Sequence, residues 1–272
     1  MEERASQESD RSLLVRRLRT AGCVYAEDEA RLLASAALSP AELTSMVERR
    51  IAGLPLEHVL GWAEFCGLRI AVDPGVFVPR ARTGLLVRQA VALLNGAGEP
   101  DDAVRPPAVV VDLCCGSGAV GAAIAASVHA VVVHASDVEP AAARCARRNI
   151  EPRGGHVHEG DLYGPLPGTL RGRVDILAVN APYVPTGSIR TMPPEARLHE
   201  PRICLDGGYD GLDVQRRVIA GAPEWLARQG HLLIETSREQ ADQTLRLMAT
   251  AGLRATVAND PELDATVAIG TL

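Results

Sequence analysis

Residues 179–183 read Val-Asn-Ala-Pro-Tyr and follow the apolar run Val174-Asp175-Ile176-Leu177-Ala178. The run reads as a buried strand, and its end presents a side-chain amide (Asn180), a small residue (Ala181), a rigid ring (Pro182) and an aromatic ring (Tyr183). An amide oxygen and a neighbouring backbone carbonyl together accept both hydrogens of a planar NH2 group, and an aromatic ring lies flat against its face. Chemistry of this kind holds a neutral nitrogen still while it reacts. Asn and Pro also favour turns, so the same residues suit a strand-end turn, and the rest of the chain must decide.

Three further strand ends carry polar residues. One closes in Asp112-Leu113-Cys114-Cys115-Gly116-Ser117-Gly118, the next at Asp137, and the third at Gly160-Asp161. In an open parallel sheet, ligands collect beyond the carboxyl ends of the strands, where strand order reverses. Gly116-Ser117-Gly118-Ala119-Val120-Gly121 matches Gly-x-Gly-x-x-Gly, and Asp137 lies 21 residues beyond Gly116. In that fingerprint glycines let a ligand approach the backbone and the acid holds ribose hydroxyls. Asp112 stands before the loop, where its charge repels a pyrophosphate but orients a cationic amino group. Asp161 stands where an adenine amino group would donate to it. The loop therefore suits an adenosyl ligand without phosphate better than a dinucleotide. Asp112 also reads as a structural acid capping nearby backbone amides.

These residues need elements to position them. The first sixty residues read as short helices, with Leu13, Leu14, Leu18 and Ala21 on one face and Ala30, Leu33 and Ala37 on the next. Ser39-Pro40-Ala41-Glu42 is a capping box, Leu43, Met46, Val47 and Ile51 mark a buried face, and Gly53 ends that helix. Alternation in Leu68-Arg69-Ile70-Ala71-Val72, then Asp73-Pro74-Gly75, then Val76-Phe77-Val78, predicts a hairpin. From Ala108 onward strands alternate with helices. Strands are expected at 108–111, 130–135, near 156–158, up to Asn180 and at 230–235, with helices at 119–126 and 139–149, a capped helix from Ser237 to Gly252, and two terminal strands within 253–271. The pattern means an α/β doubly wound parallel sheet. Asn95 to Pro107 reads as a mobile link. Ala181 to Gly211 carries five prolines and four glycines without clear periodicity, and loops of that length inside a compact domain are functional or disordered.

The chain has 272 residues, 47% hydrophobic and 23% charged, which is ordinary for a globular protein with a sizeable core. No apolar stretch reaches the length of a membrane span, and the N-terminus lacks the pattern of a signal peptide, so a cytoplasmic protein is expected. The formal net charge of −6 argues against broad electrostatic binding of nucleic acid. Six cysteines fit no Cys-x-x-Cys spacing and read as small buried thiols. His156 and His158 read as structural, and no metal site is expected. The chain has no lysine, which fits codon bias and carries no functional weight.

Asp-x-x-x-Gly-x-Gly at 112–118, Asp137, Gly160-Asp161 and Asn180-Ala181-Pro182-Tyr183 together resemble a class I S-adenosylmethionine methyltransferase that methylates amino groups. The stretches Arg50 to Gly61, Glu64 to Leu68 and Val76 to Arg80 narrow this, with Glu200-Pro201, Gly207-Gly208 and Asp210-Gly211-Leu212 downstream. They are similar to the HemK/PrmC family of protein-(glutamine-N5) methyltransferases, and the chain reads as a diverged paralogue. The resemblance implies a Rossmann-like sheet of seven strands, the last antiparallel, with a small helical N-terminal domain and a connecting β-hairpin. It divides the chain into a substrate-docking domain (1–62), a hairpin linker (63–80) and a methyltransferase domain (81–272).

Carried over, it implies S-adenosylmethionine on Cys114, Cys115, Gly116, Ser117, Gly118, Asp137, Asp161, Leu162 and Asn180, with Asp112 beside them. S-adenosylhomocysteine is then the product. Asn180, Ala181, Pro182 and Tyr183 would hold a glutamine amide, with Asn180 and Tyr183 catalytic and the nitrogen about 3 to 3.5 Å from the methyl. Family substrates are the Gly-Gly-Gln motif of class I peptide release factors or a glutamine of a ribosomal protein, and the expected partner is a protein bearing an exposed glutamine. The enzyme is expected to be a monomer away from membranes. Three positions depart from the family pattern. Ala181 replaces a proline, Ala81-Arg82-Thr83-Gly84 replaces Pro-Glu-Thr-Glu, and Cys114-Cys115 stands where glycine and threonine are common. The rival readings are an adenine-N6 methyltransferase on nucleic acid, a non-catalytic S-adenosylmethionine-binding paralogue and a nicotinamide-dependent oxidoreductase.

Overall fold

The computed structural model describes residues 2–96 and 106–272, so most of the link expected at 95–107 lies outside the described residues. Four helices open the chain: α1 (Glu2–Thr20), α2 (Ala26–Ala36), α3 (Pro40–Ile51) and α4 (Leu56–Leu60). They enclose a core of their own around Leu18, Ala30, Leu33, Met46, Val47 and Val59. The buried stripe of α1 is narrower than its sequence predicts. Leu14 and Leu18, one turn apart, are buried, while Leu13 is 52% exposed and Ala21 faces solvent. At the start of α3 the Ser39 hydroxyl accepts from the Glu42 N–H (3.2 Å), and the Glu42 carboxylate accepts from the N–H of Leu38 (2.7 Å), one residue earlier than a capping box requires.

The hairpin forms, but not where the Asp-Pro-Gly turn predicts it. Strands β1 (Trp62–Phe65) and β2 (Leu68–Ala71) pair antiparallel with Phe65 opposite Leu68, so the connecting turn is Cys66-Gly67. Both turn residues have positive φ (49° and 75°), as a two-residue turn of this hand demands. Asp73 to Val76 is a separate turn, and Val76–Val78 is not a strand. The side chains of Val76 and Val78 are buried, and side chains rather than a ladder satisfy the Val76 carbonyl and the Val78 N–H. The Val76 carbonyl bonds His58 Nε2 (2.8 Å), and the Val78 N–H donates to Glu200 (3.2 Å).

Helix α5 (Gly84–Gly96) leads to the main sheet, built from β3 (Ala108–Leu113), β4 (Val131–Asp137), β5 (His156–Glu159), β6 (Val174–Val179), β7 (Leu226–Thr236), β8 (Arg254–Asp260) and β9 (Ala265–Thr271). The spatial order is β5-β4-β3-β6-β7-β9-β8, and β9 runs antiparallel to both its neighbours. Helices α6 (Ala119–Ser127), α7 (Pro140–Ile150), α8 (Pro194–His199), α9 (Asp213–Trp225) and α10 (Arg238–Thr250) complete the fold. Strand alternation divides the core into two layers. Val110, Val133, Ile176, Ala178 and Leu233 pack with α5, α6 and α7 on one face. Val111, Leu113, Leu177, Val179, Leu232 and Ile234 pack with α9 and α10 on the other. Both faces are covered, which is why β3 and β6 read as near-continuous apolar runs.

The loop from 181 to 211 is folded back on itself rather than open. It carries two 3-10 turns and α8, and Val184 bridges Asp206 in parallel. No helix among the described residues is long and apolar enough to cross a membrane. All six cysteines are free, but only Cys23, Cys115 and Cys145 are buried. Cys66 is exposed on the hairpin turn, contrary to the expectation of buried thiols throughout.

Candidate active site

Strands β3 and β6 lie side by side, yet the chain leaves β3 toward β4 and reaches β6 only after β5. Their carboxyl ends therefore border the crevice where strand order reverses. A cavity of about 430 Å³ opens there, within the range of small-molecule sites. The expected residues Asp112, Cys114, Cys115, Gly116, Ser117 and Asp137 line one part of it. Asp161, Leu162, Asn180, Ala181, Pro182 and Tyr183 line the rest. Gly118 alone of the expected set does not. It lies beneath the loop with φ of 76°, and a Cβ there would stand 2.8 Å from Ile150 and 3.0 Å from the Ala146 side chain, so it lets α6 approach α7.

The loop after β3 is fixed by what surrounds it. Asp137 accepts from the Gly116 N–H on one carboxylate oxygen (2.8 Å) and from the Glu139 N–H on the other (2.9 Å). Asn149, which sequence reasoning passed over, donates to the Ser117 carbonyl (2.8 Å) and exchanges two bonds with the backbone of Ala71, tying the hairpin to the loop. Cys114 adopts φ of 55°, a conformation costly for a residue with a Cβ. Leu162 does likewise (φ 47°), with its carbonyl held by the Ser136 hydroxyl at 2.8 Å.

Asp112 accepts from the Gly121 N–H (2.9 Å) and is 1% exposed, so it caps a helical amide and borders the cavity at once. Burial, reinforced by the charge of Asp137 and opposed by the Gly121 N–H, pushes its pKa up to about 7. Burial also raises Asp137, against the backbone N–H groups that hold it. Asp161, at the mouth, is ion-paired with Arg217.

At the other end, Asn180 Nδ2 donates to the Thr83 hydroxyl (3.2 Å) and the Tyr183 hydroxyl donates to Glu235 Oε1 (3.4 Å). Burial, with the Glu235 charge, pushes the Tyr183 pKa up to about 12, so its hydroxyl keeps its proton. The Tyr183 carbonyl accepts from Gln240 Nε2 (2.9 Å), which also donates to the Asp210 carbonyl and pins the long loop. Gln240 thus spends its side-chain NH2 on the loop, while its backbone N–H donates to the Ser237 hydroxyl (3.2 Å), which caps the helix. The segment 77–83 supplies residues that motif reading did not assign: Phe77, Arg80, Arg82 and Thr83 all line the cavity. Arg80 pairs with Glu200, whose side chain is fully buried and whose carboxyl is raised by that burial against the pull of Arg80. Arg82 lies 3.6 Å from Glu235 and 6.0 Å from the Tyr183 ring centre.

The histidines lie elsewhere. His134, His156 and His158 stack at the β4–β5 edge, and no cluster among the described residues is arranged to hold a metal ion.

The family described as "Methyltransferase small domain" matches residues 102–196. A release factor glutamine methyltransferase of Geobacter sulfurreducens is 36% identical over 220 residues, covering 79% of this chain and 73% of the relative. The chain belongs to the release factor glutamine methyltransferase family. A 4-amino-L-phenylalanine/4-methylamino-L-phenylalanine methyltransferase of Streptomyces pristinaespiralis is nearly as similar, 35% identical over 213 residues, covering 78% of this chain and 71% of the relative. A solved methyltransferase of Pyrococcus furiosus, 15% identical, shares the fold, with a TM-score of 0.52 over 84% of this chain and 96% of that one. Ala181, Arg82, Cys114 and Cys115, residues of the three segments read above as departures from the family pattern, all line this cavity.

Proposed function

We propose that this chain transfers a methyl group from S-adenosylmethionine to the side-chain amide nitrogen of a glutamine in a protein partner, acting as a cytoplasmic monomer. One observation carries the reading: Asn180 and Tyr183 open into the same cavity as the glycine loop and Asp137. An acceptor nitrogen and an adenosyl ligand would meet there.

The residues present fit the cofactor. Each oxygen of Asp137 already takes one backbone N–H and keeps a lone pair for a ribose hydroxyl. Asp112, Asp137 and Glu139 gather negative charge at that end of the cavity, which suits a ligand bearing sulfonium and ammonium charges and repels a pyrophosphate. Bound there, S-adenosylmethionine supplies an electrophilic sulfonium methyl.

The chain's own part is to hold the nucleophile. A glutamine amide nitrogen is a poor nucleophile because its lone pair is delocalised into the carbonyl. The Asn180 oxygen and the Ala181 carbonyl would accept its two hydrogens and orient it. These acceptors gain strength as positive charge develops on nitrogen, so they favour the transition state over the ground state. Tyr183 covers the amide and excludes water. Its raised pKa makes it no base, and no histidine lines the cavity. The helices within residues 1–62 are the docking surface for the protein partner in this reading.

A second reading, a free amino acid bearing an arylamine, is favoured by Arg82, a cation on the cavity wall beside Tyr183 where the family pattern has an acid. It would hold such an acceptor's carboxylate. One experiment separates them: labelled S-adenosylmethionine offered with a class I release factor or with 4-aminophenylalanine, and the labelled product sequenced by mass spectrometry. Labelled glutamine in the protein supports the first reading. Asn180→Ala should lower turnover by roughly 10²-fold while the thermal midpoint barely moves. If that variant keeps most of its turnover, Asn180 to Tyr183 form only a turn.

A further inference from the structure

From sequence the β1–β2 hairpin reads as a linker, and no residue of either strand is among those lining the cavity. Its edge is nevertheless bonded to the glycine loop through one side chain. The Ala71 N–H donates to Asn149 Oδ1 (2.9 Å), and Asn149 Nδ2 returns a bond to the Ala71 carbonyl (2.9 Å), as the peptide group of a neighbouring strand would. The second hydrogen of Nδ2 goes to the Ser117 carbonyl (2.8 Å). All three partners are backbone groups, one donor and two acceptors, so the amide has only one way round. Asn149 is 5% exposed in α7, and α7 is gripped on both sides. Toward the hairpin, the Cys145 thiol donates to the Ala71 carbonyl (3.1 Å), Arg148 pairs with Asp73 (2.7 Å), and Cys145, Ala146 and Ile150 share a core with Ile70 and Val72. Toward the loop, Ala146 and Ile150 are the side chains that a Cβ on Gly118 would strike.

The loop needs such support. Cys114, Gly116 and Gly118 all have positive φ (55°, 55° and 76°), which costs conformational energy at Cys114 and leaves the glycines free to relax. The Gly118 N–H to Cys115 carbonyl bond (2.7 Å) closes the loop on itself. Strand β4 adds two ties, from the Cys115 N–H to the Ser136 carbonyl (3.1 Å) and from the Gly116 N–H to Asp137 (2.8 Å). The tie at the Ser117 carbonyl comes from Asn149, and with it from the hairpin. We propose that Asn149 is a positioning residue for S-adenosylmethionine. It holds the Ser117 carbonyl against α7, so hairpin, helix and glycine loop form one unit, and cofactor affinity depends on the Ala71 backbone, outside the cavity. The proposal rests on the reading of the glycine loop as the S-adenosylmethionine site.

The test uses the full chain and S-adenosylmethionine alone. In the wild type, binding should slow hydrogen exchange at the Ala71 N–H more than at the amides of β8, at the far edge of the sheet. Asn149→Ala should raise the S-adenosylmethionine Kd, read by calorimetry, at least about fivefold, because the Ser117 carbonyl loses its donor. The same variant should quicken exchange at the Ala71 and Gly116 N–H groups. Gly154→Ala, in the turn after α7 and touching nothing within 4 Å, should lower the thermal midpoint and leave the Kd within about twofold. An Asn149→Ala protein that behaves like Gly154→Ala, less stable but with unchanged Kd, has lost packing only and overturns the proposal. So does wild-type binding that slows Ala71 no more than β8, a result that stands whether or not Asn149→Ala folds. A wild type that binds no S-adenosylmethionine, while Asn149→Ala still quickens exchange at Gly116, sinks the cofactor reading and leaves the clamp on the loop standing.

Discussion

Two carboxylates at adjacent strand ends use their charge differently. Asp137 spends both oxygens on backbone N–H groups, so its negative charge is supported where a ribose would lie. Asp137→Ala should weaken S-adenosylmethionine binding by more than tenfold, about 1.5 to 3 kcal/mol for the loss of a charged acceptor. Asp137→Asn, which keeps one oxygen, should fall between. Calorimetry showing unchanged affinity in a folded Asp137→Ala protein would remove the ribose assignment. Asp112 has only the Gly121 N–H against complete burial, and its pKa of about 7 leaves it half-protonated near neutrality. An ammonium group beside it favours the ionised form and lowers its pKa, so binding should release the proton that the free protein holds. The sign follows: affinity is level above pH 7 and falls by up to roughly tenfold per pH unit below it, until the bound-state pKa is reached. Titrations in two buffers of different ionisation heat would count the protons. Affinity independent of pH would mean that Asp112 serves only its cap.

The glycine loop between β3 and α6 was legible in the sequence because its glycines answer a backbone demand that few other residues meet. Gly118 illustrates it. Gly118→Ala adds a left-handed penalty and drives a Cβ into Ala146 and Ile150 of α7, so it should cost about 2 to 4 kcal/mol. Gly154→Ala shares the left-handed φ of 80° but meets nothing within 4 Å, and should cost only about 1 to 2 kcal/mol. Equal losses in urea unfolding would show that the approach of α6 to α7 is not what Gly118 serves. The hairpin was misread for the converse reason. Its turn uses Cys66, a non-glycine at φ of 49°, while the stronger turn signal, Asp73-Pro74-Gly75, leads into a segment whose backbone is held by His58 and Glu200. No local pattern announces a backbone group satisfied from 122 residues away. Thr83 and Glu235 were invisible likewise: one lies in a short 3-10 turn and the other near the end of an apolar strand, and only the fold brings Thr83 to Asn180 and Glu235 to Tyr183. Helices α5 and α9 carry apolar residues at helical spacing, so their absence from the sequence reading was an omission rather than a missing signal.

At the scale of the whole molecule, the N-terminal helices have a core separate from the two layers of the sheet. They are joined to the rest by specific polar contacts. Arg50 is held by Glu29 within the helices (2.7 Å) and also pairs with Glu195 of α8, in the loop that borders the cavity, while His58 bonds the Val76 carbonyl just before Phe77. A partner seated on these helices would therefore lie beside the loop that covers Asn180 and Tyr183, whereas the glycine loop and Asp137 draw their support from β3, β4 and α7. In the proposed reading, acceptor recognition and cofactor binding would then fall to different parts of the chain. Removing residues 1–61, so that the chain starts at β1, should leave S-adenosylmethionine affinity within a few-fold of the full chain and lower methylation of a whole release factor by at least tenfold. A short Gly-Gly-Gln peptide, which reaches the cavity without a docking surface, should lose far less. A truncated protein that methylates the whole factor as well as the full chain does would show that the helices dock nothing. A full-length enzyme whose acceptor proves to be nucleic acid, with transfer falling steeply as salt rises, would overturn the protein-acceptor reading; the net charge of −6 disfavours that outcome.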